Sequence, residues 1–384
     1  MRKLVADCIY PITSEPIFNG MLVLSDTGVV LSVLKEDEWD RNELGIEYFA
    51  GSLCPGFVNA HCHLELSHLR GHVAKSRGLV SFIKQVQSLR NGFELEVILD
   101  AMQRADKMMY DAGIVAVGDV VNSAVSRAVK LTSSIYYHSF VELFGFLPER
   151  AQAIFDVGVE VGQALSPLSY SMTAHAPYSV SEELFNLINN GLNGIDGLLS
   201  IHNQETAQEN LFFQNREGDF LNLYDFFGID VSFFKASGKS SLQTYLPYLS
   251  SSTKLLLVHN TFTSNEDISF AERAFDQLFW ALCPKANLYI ENRLPDIDLL
   301  RASKVKLVLG TDSLASNGTL SIWDEIVAIR NAYAHVPLSE LLCWATLNGA
   351  DFLGLSNRLG SFDGGKQPGV VCIQWDERCV KRII

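Results

Sequence analysis

The sequence predicts an α/β fold: a (β/α)8 TIM-like barrel with a small β-sandwich formed from both termini. Three observations predict it. Eight apolar, strand-like runs alternate with helix-periodic segments through the middle of the chain. Turn-punctuated β-like segments occupy both ends. Four of the eight runs close on a histidine or an aspartate. A doubly wound open sheet is the structural alternative.

At the N-terminal end, Ile17–Leu24 carries an Asn19-Gly20 turn signal between apolar residues, a hairpin cue. At the other end, Gly and Pro punctuation from Gly360 leads into Val370-Val371-Cys372-Ile373 and on to Trp375. Residues 1–52 and 355–384 are therefore expected to form the small β domain, and residues 53–354 the barrel. Strands are expected at Leu53–His63, Ile114–Val121, Ile135–Leu143, Tyr170–Ala176, Leu198–His202, Leu255–His259, Phe279–Cys283 and Lys306–Asp312. Helices are expected at Leu79–Leu89, Glu94–Ala112, Ser181–Ile188, Ser321–Ala334 and Leu338–Leu353.

Bulk properties narrow the function classes. A chain of 384 residues that is 48% hydrophobic and 19% charged can bury a large core. A formal charge of −14 argues against a protein that tracks nucleic-acid phosphates. It leaves a small-molecule substrate open. The seven cysteines include no CxxC pair, so a zinc ribbon or a thioredoxin-like site is not expected. The N-terminal residues meet acid at Asp7 before any long apolar run, unlike a secretory signal. No run approaches the ~20 apolar residues that span a bilayer. A cytoplasmic setting is expected, and a homodimer is allowed.

The chemistry sits at strand ends. In Pro55–Glu65, alternation along a strand turns His61 and His63 to one face and Cys62 to the other. Such a pair can share a metal, although HxH alone is a weak signal. Leu198–His202 also ends in a histidine, and Glu205 follows three residues later. Leu255–His259 closes on His259, and Lys306–Asp312 on Asp312. In a barrel every strand C-terminus lies on one face, so these groups converge on one mouth. Taken singly, each has a bland reading. A strand-end histidine can be a hydrogen-bonded structural residue, and Gly310-Thr311-Asp312 can cap a helix. Their shared placement in barrel order favours a metal site. His68, His72, His138 and His335 lack this placement and read as structural or surface residues, with His68 and His72 near the pocket rim.

The run Pro55–Gly71, His175-Ala176-Pro177-Tyr178-Ser179, His202-Asn203-Gln204-Glu205-Thr206 and Leu309-Gly310-Thr311-Asp312-Ser313 resemble the deaminase and chlorohydrolase branch of the amidohydrolase superfamily. Leu359 through Val371 is similar to the return to that branch's small β-sandwich. The resemblance spans essentially the whole chain. It implies that His61, His63, His202 and Asp312 bind one divalent metal, Zn²⁺ or else Fe²⁺. It implies Glu205 as proton shuttle, His259 as the residue orienting the attacking water, and His175 facing the substrate. Binuclear members use a carboxylated lysine in the middle of the barrel. No lysine occurs between Lys130 and Lys235, which favours the mononuclear subtype.

The function this implies is hydrolytic deamination of an aminated heterocycle, above all an adenine-type nucleoside. The run Asn59–Ser67 is most similar to 6-aminodeoxyfutalosine deaminases, followed by methylthioadenosine and adenosylhomocysteine deaminases. An arginine near the mouth is then expected to read the substrate's carboxylate. Arg70 and Arg150 come first, with Arg216 and Arg293 behind them. Rival readings are hydrolysis of another C–N bond or of a C–Cl bond, and an inactive barrel used as a binding module. His63-Leu64-Glu65 mimics the H-x-E of the unrelated cytidine-deaminase fold, but the P-C-x-x-C partner is missing.

Overall fold

In the computed structural model, residues 1–191, 197–374 and 379–384 are described, so Trp375 lies outside them. The chain opens with β1 (Arg2–Ile9), β2 (Ile17–Phe18), β3 (Met21–Leu24), β4 (Val30–Leu34) and β5 (Ile46–Pro55). Eight further strands follow: β6 (Phe57–Cys62), β7 (Ile114–Val121), β8 (Tyr136–Leu143), β9 (Ser169–Ala174), β10 (Leu198–Asn203), β11 (Lys254–His259), β12 (Leu278–Leu282) and β13 (Lys306–Leu309). The chain ends with β14 (Val370–Gln374) and β15 (Cys379–Arg382).

The two ends of the chain meet in one sheet. Its order is β15-β14-β5-β1-β3-β4, with β2 also paired to β1. Period-two alternation gives it two apolar faces. Leu4, Ala6, Leu22, Leu24 and Leu53 pack with Phe362, Val370 and Cys372, while Val5, Met21 and Val23 are covered by Leu34, Trp39 and Ile46. The sequence suggested a sandwich; the described strands form this single seven-stranded sheet. β5 runs across the expected division between residues 52 and 53.

The expected strand Leu53–His63 is two strands. Pro55 ends β5 beside Val370 of β14, and Phe57 begins β6 beside Ile114. Between them the chain passes through Gly56. A Cβ there would come within 2.3 Å of Val115 Cγ1 and 2.8 Å of the Pro368 carbonyl.

β6-β7-β8-β9 and β10-β11-β12-β13 form two parallel four-stranded sheets. They meet at two seams. At one, Thr173 Oγ1 donates to the Ser200 carbonyl (2.8 Å), Ser171 Oγ to the Leu198 carbonyl (2.8 Å), and His202 N to the His175 carbonyl (3.0 Å). At the other, Thr311 N and Asp312 N donate to the His61 carbonyl (3.0 and 3.1 Å), and Asn59 Nδ2 donates to Thr311 Oγ1 (2.8 Å). These strands are buried almost throughout, as strands covered on both faces should be.

Helix Leu79–Leu89 has the extent the sequence predicts, and it roofs the C-terminal ends of the parallel strands. Leu79 N donates to Glu291 Oε1 (2.8 Å), at the end of the helix Pro284–Ile290 that follows β12. At the helix's far end, Arg90 Nη2 donates to Asn122 Oδ1 (3.1 Å), just after β7. Among the described residues, no helix is long and apolar enough to cross a membrane.

Candidate metal centre and active site

β6, β10, β11 and β13 deliver His61, His63, His202, His259 and Asp312 to one place. His63 Nε2 lies 3.1 Å from His61 Nε2 and 3.2 Å from His202 Nε2. Asp312 Oδ1 stands 3.5 Å from His63 Nε2 and 3.9 Å from His61 Nε2. Nitrogens bound tetrahedrally at about 2.0–2.1 Å lie about 3.3–3.4 Å apart, so the three Nε2 atoms are spaced as metal ligands are.

The protonation states fit the same use. Burial, and the neighbouring imidazoles, hold His61 and His63 well below the usual histidine range, and His202 falls to about 4. Neutral imidazoles are the form that binds a metal. His202 Nδ1 donates to the His175 carbonyl (2.8 Å), which leaves its Nε2 lone pair facing the other two rings. Ser316 Oγ donates to Asp312 Oδ2 (2.5 Å) and leaves Oδ1 toward the histidines. Neutral nitrogen donors with one carboxylate are the donor set of a catalytic Zn²⁺ or Fe²⁺ site.

Several of these positions carry left-handed backbone. His259 has φ 77°, Asn260 56°, Asp312 55° and Gln204 46°. Non-glycine residues adopt this region only where the surroundings hold them, and they cluster at working sites. Here the hold is visible: Asn260 N donates to the Asn203 carbonyl (3.0 Å), and Asn203 Nδ2 donates to Asn260 Oδ1 (3.0 Å).

Glu205 completes the centre. Its Oε2 is 3.6 Å from His259 Nε2, and its Oε1 is buried with no hydrogen-bond partner among the described residues. Burial, reinforced by the Asp312 charge, pushes its carboxyl well above the usual range. A carboxyl held protonated beside ligand-type side chains can give a proton to a bound molecule. On the other side, His259 Nδ1 is met by Asn287 Nδ2 at 3.3 Å. His175 stands beside His202 with ring centroids 4.9 Å apart, its Nδ1 2.6 Å from Ser179 Oγ.

Arg70 and Arg150 are both exposed, as are Arg216 and Arg293. Arg216 donates to the Val231 carbonyl (3.1 Å), and Arg293 stacks on Phe262. The arginine joined to the site is Arg90. Asn122 Nδ2, bonded in turn to Glu142 Oε2 (3.0 Å), links it to a carboxylate whose Oε1 is 3.6 Å from His202 Nδ1. Its charge helps depress His63 and His175. Sequence reasoning missed Arg90, Asn122 and Glu142 because they lie in no motif. The remaining histidines match expectation. His138 is buried between Ser169 and Ser171, His335 pairs with Asp298 at the surface, His68 meets the Arg90 carbonyl, and His72 is exposed.

The chain is 28% identical over 377 residues to an adenosine deaminase of Helicobacter pylori, covering 94% of this chain and 90% of the relative. Its fold is similar to the crystal structure of Helicobacter pylori aminofutalosine deaminase in complex with methylthio-coformycin, with TM-score 0.81 and 23% identity over 98% of this chain and 92% of that one. It is also similar to an adenosine deaminase from Xanthomonas campestris with bound zinc, with TM-score 0.74 and 24% identity over 97% and 84% of the two chains. The model of the amidohydrolase family matches residues 52–384. This chain belongs to the amidohydrolase family and is a hydrolytic enzyme acting on C–N bonds.

Proposed function

We propose that this enzyme deaminates an adenine-type nucleoside hydrolytically. The eight parallel strands are read as one closed barrel over residues 53–354, with both chain ends as its supporting β domain. His61, His63, His202 and Asp312 are assigned one divalent cation, zinc first. The observation that carries the reading is the convergence of three neutral Nε2 atoms and Asp312 Oδ1 beside a buried, proton-holding Glu205. The deaminase relatives support it.

A cation held by these residues would supply Lewis acidity, which lowers the pKa of water from about 15.7 to about 7. The Asp312 carboxylate takes the proton that the attacking water loses, and His259 Nε2 fixes the water's direction. Glu205 gives its proton to the ring nitrogen next to the amino-bearing carbon, drawing electrons from that carbon as the C–O bond forms. Asp312 returns its proton to the amine. The C–N bond breaks, ammonia leaves, and the hydroxyl proton passes to the Glu205 carboxylate as the carbonyl forms, which restores the protonated Glu205. His175 faces the ring.

The finer substrate assignment is 6-aminodeoxyfutalosine, with neutral methylthioadenosine as the alternative. Arg90 favours the first. It makes no ion pair among the described residues, and a substrate carboxylate would supply one. The test is ammonia release by zinc-loaded protein from a panel of adenine nucleosides, guanine, cytosine and chlorotriazines. An adenine nucleoside should be turned over best. Preference for guanine, cytosine or a triazine would overturn the reading. With the carboxylate-bearing nucleoside and its neutral amide as a pair, Arg90→Ala should lower kcat/KM for the acid alone.

A further inference from the structure

Glu205 owes its direction to one turn of backbone. Gln204, between the last residue of β10 and Glu205, adopts left-handed φ 46°. All of its polar groups are held. Its N–H donates to Glu209 Oε1 (3.0 Å), and its carbonyl accepts from Phe262 N (2.9 Å). Its side-chain Nε2 donates to Asn210 Oδ1 (3.1 Å) and Asp267 Oδ2 (2.9 Å).

Glu209 lies in the first turn of helix Ala207–Asn215 and is 0% exposed. An acidic residue three positions after a Thr N-cap normally serves the cap itself. This one reaches past Thr206 to the Gln204 N–H. Its Oε1 also takes the Ser241 hydroxyl (2.5 Å), and its Oε2 is buried without a hydrogen-bond partner among the described residues. Leaving a carboxylate oxygen unsatisfied in the interior costs free energy, beyond anything a cap requires. The Glu209 charge also adds to the forces that keep the Glu205 carboxyl high.

We infer that Glu209 is the positioning residue of the proton shuttle: it pins the left-handed turn at Gln204 and so aims Glu205 at the histidine cluster. This rests on the reading of Glu205 as the proton donor. Glu209 touches no reacting atom, so its whole effect passes through Glu205.

The experiment is a double-mutant cycle on the zinc-loaded enzyme with the nucleoside it turns over best. Displacing a reacting group by about 1 Å can cost about 10²-fold. Glu209→Ala should lower kcat by about that factor, with KM and metal content unchanged. Glu209→Gln keeps the volume and one acceptor oxygen, so it should lose less. In a Glu205→Gln background, Glu209→Ala should cost nothing further. An inactive Glu205→Gln enzyme together with full activity in both Glu209 variants would overturn the inference while leaving the shuttle intact. An equal loss from Glu209→Ala with and without Glu205 would also overturn it. If Glu209→Ala does not fold, Glu209→Gln carries the same cycle and is judged by the same two outcomes. An active Glu205→Gln enzyme would instead sink the underlying assignment of Glu205.

Discussion

Replacing Lys130 by Met should destabilise the protein by about 3–5 kcal/mol, because it strands a buried charge. Lys130 Nζ lies 2.6 Å from Asp119 Oδ2 and donates to Ser139 Oγ (2.8 Å), and both charged side chains are 0% exposed. Burial pushes the Asp119 carboxyl up, and Lys130 is the largest force pulling it back. Asp119 Oδ1 accepts the Leu64 N–H (2.8 Å), one residue past His63, so the pair also fixes the chain leaving β6. Methionine keeps the unbranched stem but removes the charge. The remaining carboxylate must stay uncompensated or bind a proton, and both states cost free energy. The double variant Lys130→Met with Asp119→Asn should recover most of the loss, since the amide is neutral and still accepts from Leu64. Urea unfolding at pH 7 and saturating zinc, on wild type, both single variants and the double, closes the cycle. A loss below about 1 kcal/mol for Lys130→Met, or a double variant equal to the sum of the singles, would refute the reasoning.

Other outcomes follow from the same geometry. Glu205→Gln should keep its metal and lose about 10²–10⁴-fold in kcat; an active, metal-replete variant would remove Glu205 from the shuttle role. Metal analysis should give about one equivalent of divalent cation per chain, lost in His61→Ala and in His63→Ala, and two equivalents in the intact protein would contradict this. Glu325 is buried, and burial raises its carboxyl from 4.5 to about 8 although Lys285 N and Asn317 Nδ2 donate to it. A folded-state value above the unfolded one gives stability that is full below about pH 4.5 and falls as pH rises through about 8. The fall is up to about 5 kcal/mol, and Glu325→Gln should flatten it in unfolding curves taken across that window. An unchanged slope would show that Glu325 is already ionised in the native protein.

The sequence alone determined the groups whose position follows from one strand. Side-chain alternation at the end of β6 put His61 and His63 on one side and Cys62 on the other, whatever the rest of the chain does. The placing of His202, His259 and Asp312 at the ends of apolar runs was equally local, and parallel strands share the direction in which those ends point. Helix Leu79–Leu89 was legible from its periodicity.

Only the tertiary structure decided the rest. Leu53–His63 reads as one apolar run because both its strands are buried, and its break at Gly56 depends on Val115 and Pro368, which are far away in sequence. Leu338–Leu353 reads as one helix but is broken at Thr346, with Asn348 bonded to the Leu307 carbonyl on β13. Arg70 and Arg150 were chosen for following strand ends, whereas Arg90 reaches the site because a roofing helix carries it across to Asn122. Hydrogen bonds and charge act over a few ångströms of space and take no account of sequence distance. The residues that hold and tune this centre, Arg90, Asn122, Glu142 and Glu209, therefore became visible only once the chain was folded.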